Sequence, residues 1–207
     1  MYIPKHFKLT DLNEIQEFIR TNSFGTLITT KNGKPIATHL PLQLVKEDND
    51  YFITGHMAYG NPQWRTFDTC GDVLITFQGP HAYISSSWYE KVNVPTWNYQ
   101  AVHLYGAAKL MDEAELKADL AKLMQKYEQH REHPVLLETL SPSMLEKELK
   151  GIVGFKIQVT EVQAAYKISQ NRTPTDYKNI IDQLHKEENT DSSEMAEVME
   201  KKMKKSQ

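Results

Sequence analysis

Hydrophobic positions in this chain follow first a helical and then an alternating rhythm. Leu12, Ile15, Phe18 and Ile19 recur at helical spacing behind Asp11, with Glu14 three residues on as a capping-box variant, which predicts a short helix over residues 11–21. From Gly25 the period shortens. Strands over residues 26–30 and 34–45 are separated by Lys31-Asn32-Gly33, and Asn-Gly supplies the positive φ angles of a tight hairpin. Pro41, which has no N–H for a ladder, marks an edge or a bulge in the second strand. An acidic turn, Glu47-Asp48-Asn49-Asp50, leads to a strand over residues 51–56. Residues 72–78 are apolar on both faces, as in a central strand, and residues 82–85 continue them after a bend at Gly79-Pro80.

The longest run, residues 94–110, enters through Pro95 and sorts its side chains onto two faces. Trp97, Tyr99, Ala101, His103 and Tyr105 point one way; Asn98, Gln100, Val102, Leu104 and Gly106 point the other. Three rings and a histidine on one face suit either a well-packed core strand or a surface that stacks a flat ligand. Beyond it, Asp112 with Glu115 caps a helix to about residue 130, and Ser141-Pro142 opens a short helix that Gly151 ends. Strand returns over residues 154–168, with a change of phase that implies a bulge near Thr160 and Glu161. Thr173-Pro174 opens another helix. Residues 189–193 read as a hinge into a charged helix from about Glu194, whose thin apolar side, Met195, Val198 and Met199, should pack on another subunit or fray.

Strands joined by hairpins dominate residues 25–110 and long crossovers are scarce, so the fold class is mainly β with peripheral helices, α+β, an antiparallel barrel or sandwich. Two parts are expected: residues 1–170 with helices inserted at 112–150, and a helical appendage at 171–207.

Composition narrows the function. The 207 residues carry a formal net charge of −3, which gives no general attraction to nucleic acid. The single Cys70 excludes an intramolecular disulfide framework and a cysteine-rich zinc site. The N-terminus lacks a signal-peptide core and no apolar run reaches the length of a membrane span, so a cytoplasmic protein without membrane attachment is expected. Neither a Gly-x-Gly-x-x-Gly nor a Walker-type loop occurs. His39, His56, His81 and His103 lack metal-ligand spacing, so no metal site is assigned. Ser85-Ser86-Ser87 has no nucleophile elbow.

Two stretches remain. Thr54-Gly55-His56-Met57-Ala58 ends a strand before Asn61-Pro62, where backbone N–H groups can meet an anion; a plain connection fits equally well. Tyr166-Lys167-Ile168-Ser169-Gln170-Asn171-Arg172 crowds cations and amides at a strand end, as a phosphate or carbonyl-rich ring requires, or as a capping loop provides.

These segments, with His39-Leu40-Pro41, Asn61-Pro62-Gln63-Trp64, Tyr83-Ile84-Ser85, Pro95-Thr96-Trp97-Asn98-Tyr99 and Lys167-Ile168-Ser169-Gln170-Asn171-Arg172, resemble the PaiB family, bacterial negative transcriptional regulators of protease synthesis and sporulation. The likeness spans about residues 1–185. It implies an FMN-binding split β-barrel of antiparallel Greek-key type, similar to pyridoxamine-phosphate oxidases and flavin reductases, and a homodimer with the cofactor site near the subunit interface. Carried onto this chain, it implies that Thr54, His56, Met57, Ala58 and Asn61 face the flavin's ribityl phosphate. Trp97, Asn98 and Tyr99 would border the ring, and Lys167, Gln170 and Arg172 would close the site, from the other subunit if it is shared. Split-barrel enzymes commonly place Arg or Lys on the strand before the Asn61 turn, whereas this chain offers His56 and no cation until Arg65. A regulator is the implied function, with DNA contact not supported by net charge. A flavin-dependent oxidoreductase, or a haem-binding or haem-degrading protein with His103 or His39 on iron, is the alternative. No acid–base pair marks an enzyme.

Overall fold

The computed structural model describes residues 1–205, with Ser206 and Gln207 of the expected appendage outside the described residues. In chain order the elements are β1 (Lys8–Leu9), α1 (Leu12–Thr21), β2 (Phe24–Lys31), β3 (Lys34–Pro41), β4 (Gln43–Glu47), β5 (Asp50–Ala58), β6 (Asp72–Ile84), β7 (Thr96–Leu110), α2 (Glu113–Glu128), α3 (Pro142–Leu149), β8 (Ile152–Lys167), α4 (Pro174–Leu184) and α5 (Thr190–Lys205). The strands form one sheet of order β3-β2-β6-β7-β8-β5-β4, with β1 antiparallel to β8. The pairs β2–β3, β2–β6, β4–β5 and β5–β8 are antiparallel, and the non-consecutive neighbours β2–β6 and β8–β5 give the Greek-key character.

Local chemistry explains most boundaries. Asn32 and Gly33 have φ of 53° and 75°, which closes β2 onto β3 with Lys31 opposite Lys34. The expected single strand over residues 34–45 is two strands, broken at Leu42, which turns into the core and donates its N–H to the Ser23 carbonyl. β3 and β4 are the two ends of the strand order, yet only Leu42 separates them in the chain. β3 and β4 nevertheless do not pair, and the sheet stays open. That is the split barrel.

Gly79-Pro80 does not divide β6, which runs unbroken over Asp72–Ile84. A Cβ at Gly79 would meet the Phe18 ring at 2.6 Å, so the glycine admits close packing rather than a turn. α2 carries the full capping box between Asp112 and Glu115. α5 starts at Thr190, earlier than expected, because Asn189 accepts the Ser192 N–H and caps it.

The chain forms two compact units. One comprises Met1–Phe18, Gln78–His103 and the chain from Gln163; the other comprises Ile19–Phe77 and Leu104–Val162. The first is built around Ile84, Tyr89, Ile168, Ile180, Leu184, Met195 and Met199. Thus the apolar side of α5 packs within its own chain. At roughly 1.5–3 kcal/mol per fully buried Met, this burial holds the helix where charge alone would let it fray. The second is built around Leu27, Leu42, Ile53, Phe77, Phe155 and Ile157, all fully buried, with the Phe67 and Phe155 rings edge-on at 5.7 Å.

Candidate functional site

β7 separates two concave surfaces, both within the first unit. Its alternation is realised with the aromatic face outward: Trp97 is 49% exposed and Tyr99 and Ala101 are half-buried, while Asn98, Gln100 and Val102 are buried. The face with three rings is therefore the open one, and the amides lie inside.

On the open face, Gln78, His81, Trp97, Tyr99 and Ala101 line a groove of about 400 Å³. The Trp97 indole N–H donates to His81 Nδ1 at 3.3 Å, which leaves the neutral His81 with its own proton on Nε2 as a free donor. Tyr83 meets the Trp97 ring edge-on at 6.0 Å. The result is a shallow aromatic surface with an amide and an imidazole N–H beside it, the donor set a flat heteroaromatic ring needs.

On the opposite face, His6, Phe7, Thr96, Asn98, Lys167, Ser169, Asn171 and Arg172 line a pocket of about 200 Å³. The Lys167 ammonium donates to the Thr96 hydroxyl at 2.5 Å. Partial burial lowers its pKa, and the nearby Arg172 charge lowers it further. Neither cation forms an ion pair among the described residues. Arg172 lies over the Tyr89 ring, 4.6 Å from its centroid. Two unpaired cations, amides and hydroxyls with no acid among the lining residues suit a phosphate or carboxylate.

The structure brings Asn98, Lys167 and Arg172 together, and Trp97 with Tyr99, but on different sides of one strand. Gln170 is turned away: its Oε1 accepts the Ile168 N–H at 2.8 Å and its amide donates to the Tyr166 carbonyl, so it braces its own turn. The residues of the Thr54–Asn61 strand end lie in the second unit. There the Thr54 hydroxyl donates to Asp119 on α2, Met57 is core, and Asn61 caps a 3-10 turn by accepting the Gln63 N–H at 3.0 Å. Ala58 is exposed. His56 keeps a buried Nδ1 without a hydrogen-bond partner. Burial lowers its pKa, and the Asp119 carboxylate opposes this. Arg65, the nearest cation in sequence, lies over the Trp64 ring at 4.3 Å. Sequence reading passed over Gln78 and Asp119, quoted Thr96 only as part of a motif and weighed His81 only as a metal ligand. It included Ser169 in a cluster without seeing that its φ is 62°, a left-handed conformation unusual for serine. Among the described residues no group of three or more His, Cys, Asp or Glu could hold a metal, and no helix is long and apolar enough to cross a membrane.

An open antiparallel sheet of this Greek-key order is a split β-barrel. Solved structures share the fold. The FAD and heme binding protein from Mycobacterium smegmatis superposes with a TM-score of 0.59, 14% identity, and coverage of 77% of this chain and 73% of its own. The flavocytochrome Anf3 from Azotobacter vinelandii gives 0.58, 16% identity, 86% and 78%. Residues 1–161 match the family model described as "Putative FMN-binding domain", and the chain belongs to that family. It is 63% identical over 205 residues, 99% of either chain, to the protease synthase and sporulation protein PAI 2 of Bacillus subtilis (strain 168), so the PaiB resemblance holds from end to end.

Proposed function

We propose that this protein is a cytoplasmic, PaiB-like negative regulator of protease production and sporulation that acts as a homodimer and senses a bound flavin, FMN. The single observation that carries the ligand is the pairing across β7 of an aromatic groove with a dicationic pocket. The donor set fits the cofactor: Trp97 and Tyr99 offer ring faces, Gln78 and His81 offer hydrogen bonds to the ring edge, and Lys167 and Arg172 offer charge for the phosphate. Because the two surfaces occupy opposite faces, the reading assigns the ring to one protomer's groove and the phosphate to the Lys167–Arg172 pocket of a second copy. Asn98 orients Ser169 in that pocket, and Gln170 holds the turn that presents Lys167 and Arg172.

Bound flavin supplies a two-electron redox centre; this chain's residues bind it, orient it and shield one face from water. The regulatory role follows the name of the relative, and the net charge of −3 favours a protein partner over direct DNA contact.

The test is a titration of the purified protein with FMN, riboflavin and haem, followed by absorbance and Trp fluorescence, with sedimentation in parallel. FMN should bind more tightly than riboflavin, and to a dimer. Absence of any flavin response, or a monomer that binds FMN fully, overturns the reading. NAD(P)H oxidation by the FMN-loaded protein then separates a sensor from an oxidoreductase.

A further inference from the structure

The Lys167–Arg172 pocket sits at the root of the α4–α5 hairpin: β8 ends at Lys167, and Thr173 caps α4. Between the two cations the chain passes through Ser169, a buried non-glycine residue at φ 62°. Its hydroxyl donates to Asn98 Oδ1 at 3.0 Å. Asn98 is itself fully buried, and its amide Nδ2 lies 3.5 Å from the Met199 sulfur on α5. One side chain thus touches the pocket, the left-handed turn and the C-terminal helix at once. A second connection runs through Arg172, whose guanidinium covers Tyr89, a ring in the same apolar cluster as Met195 and Met199.

We propose that a phosphate group held between Lys167 and Arg172 clamps α5 in place through Asn98, so that docking of the C-terminal helix reports whether the pocket is filled. This rests on the reading above that the pocket takes the phosphate of its ligand. The physical reason is local. Without an anion, two unpaired like charges flank a turn already held in a disfavoured conformation, and their repulsion works against the turn that anchors the hairpin. A phosphate removes that repulsion. Its oxygens also accept the second Nδ2 hydrogen of Asn98, while the first stays on the Met199 sulfur. Both effects favour the Asn98 position that holds Met199 and Tyr89 in register. The ligand class is a phosphomonoester or free phosphate, and the output is the stability of residues 190–205.

Hydrogen exchange of the full-length protein, followed over residues 190–205, tests this in chloride, in inorganic phosphate at equal ionic strength, in FMN and in riboflavin. At ten times the dissociation constant, phosphate and FMN should each slow exchange there about tenfold, because opening then requires ligand release. Riboflavin, which lacks the phosphate, should not. Lys167→Gln and Arg172→Gln should abolish the protection, and Arg172→Lys, which keeps the charge, should retain part of it. Exchange that is equal in chloride, phosphate and FMN overturns the proposal, as does protection by riboflavin equal to that by FMN. Flavin quenching of Trp fluorescence in the same samples keeps the two readings apart. Riboflavin binding without phosphate protection sinks the clamp and leaves the flavin site standing. Phosphate protection without any flavin binding does the reverse.

Discussion

Trp97 and Asn98 are adjacent on β7 but face opposite sides of it, the indole half exposed beside His81 and the amide fully buried against Ser169 and Met199. The two substitutions should therefore separate binding from stability. Trp97→Ala should weaken riboflavin binding roughly tenfold while shifting unfolding free energy by about 0.5 kcal/mol or less. Asn98→Ala, which leaves the Ser169 hydroxyl without its acceptor, should cost roughly 2–3 kcal/mol. Urea unfolding and fluorescence titration of both variants decide it, and equal stability losses would contradict the two-sided strand.

Ser169 allows a sharper comparison. Ser169→Ala loses the bond to Asn98 and keeps the left-handed strain; Ser169→Gly loses the bond and relieves the strain. Glycine here should be more stable than alanine by about 1 kcal/mol, the reverse of their order at an ordinary position. An alanine variant at least as stable as the glycine one would argue that residue 169 is not held at positive φ.

Gly106 on β7 admits a close approach. A Cβ built there falls 1.9 Å from the carbonyl oxygen of Gln158 on β8, and a strand backbone cannot yield as a side chain can. Gly106→Ala should destabilise the protein by about 3 kcal/mol or more, read as a fall in the midpoint of urea unfolding.

The half-buried His56 makes stability depend on pH. Burial lowers its folded pKa below the unfolded value near 6.5, with Asp119 opposing. In the window between those two values the unfolded chain binds more protons, so stability falls as pH drops through 6.5 and levels off below the folded pKa. His103, lowered by burial and then by the N-terminal charge, acts in the same direction. His56→Gln should reduce the loss of unfolding free energy between pH 7.5 and 5.5; an unchanged loss would place the linkage elsewhere.

Much of this architecture is written locally. Asn32-Gly33 specifies its hairpin because those residues tolerate positive φ, and Asp112 with Glu115 specifies the start of α2 because two side chains close its free N–H groups. The alternation along residues 97–106 is equally explicit, since side chains on a strand must take turns. The resemblance of motifs to the PaiB family then carried the fold and the flavin expectation to about residues 1–185. What alternation cannot say is which face meets water. Here the aromatic set lies outward and the amides inward, because Asn98 finds its partner Ser169 71 residues away. The same holds for Thr54, whose hydroxyl looked available until Asp119, 65 residues on, accepted it, and for α5, whose thin apolar stripe proved sufficient once Ile84, Ile180 and Leu184 surrounded it. Turns, caps and periodicity are settled between residues a few positions apart, so the amino-acid sequence alone determined most of the strands and helices and part of the set of candidate residues. Exposure, the division of β7 into an aromatic groove and a pocket lined by two cations, and the left-handed Ser169 between those unpaired cations depend on contacts between distant segments. Only the tertiary structure decided those, because burial and register are properties of the packed chain and not of any stretch of it.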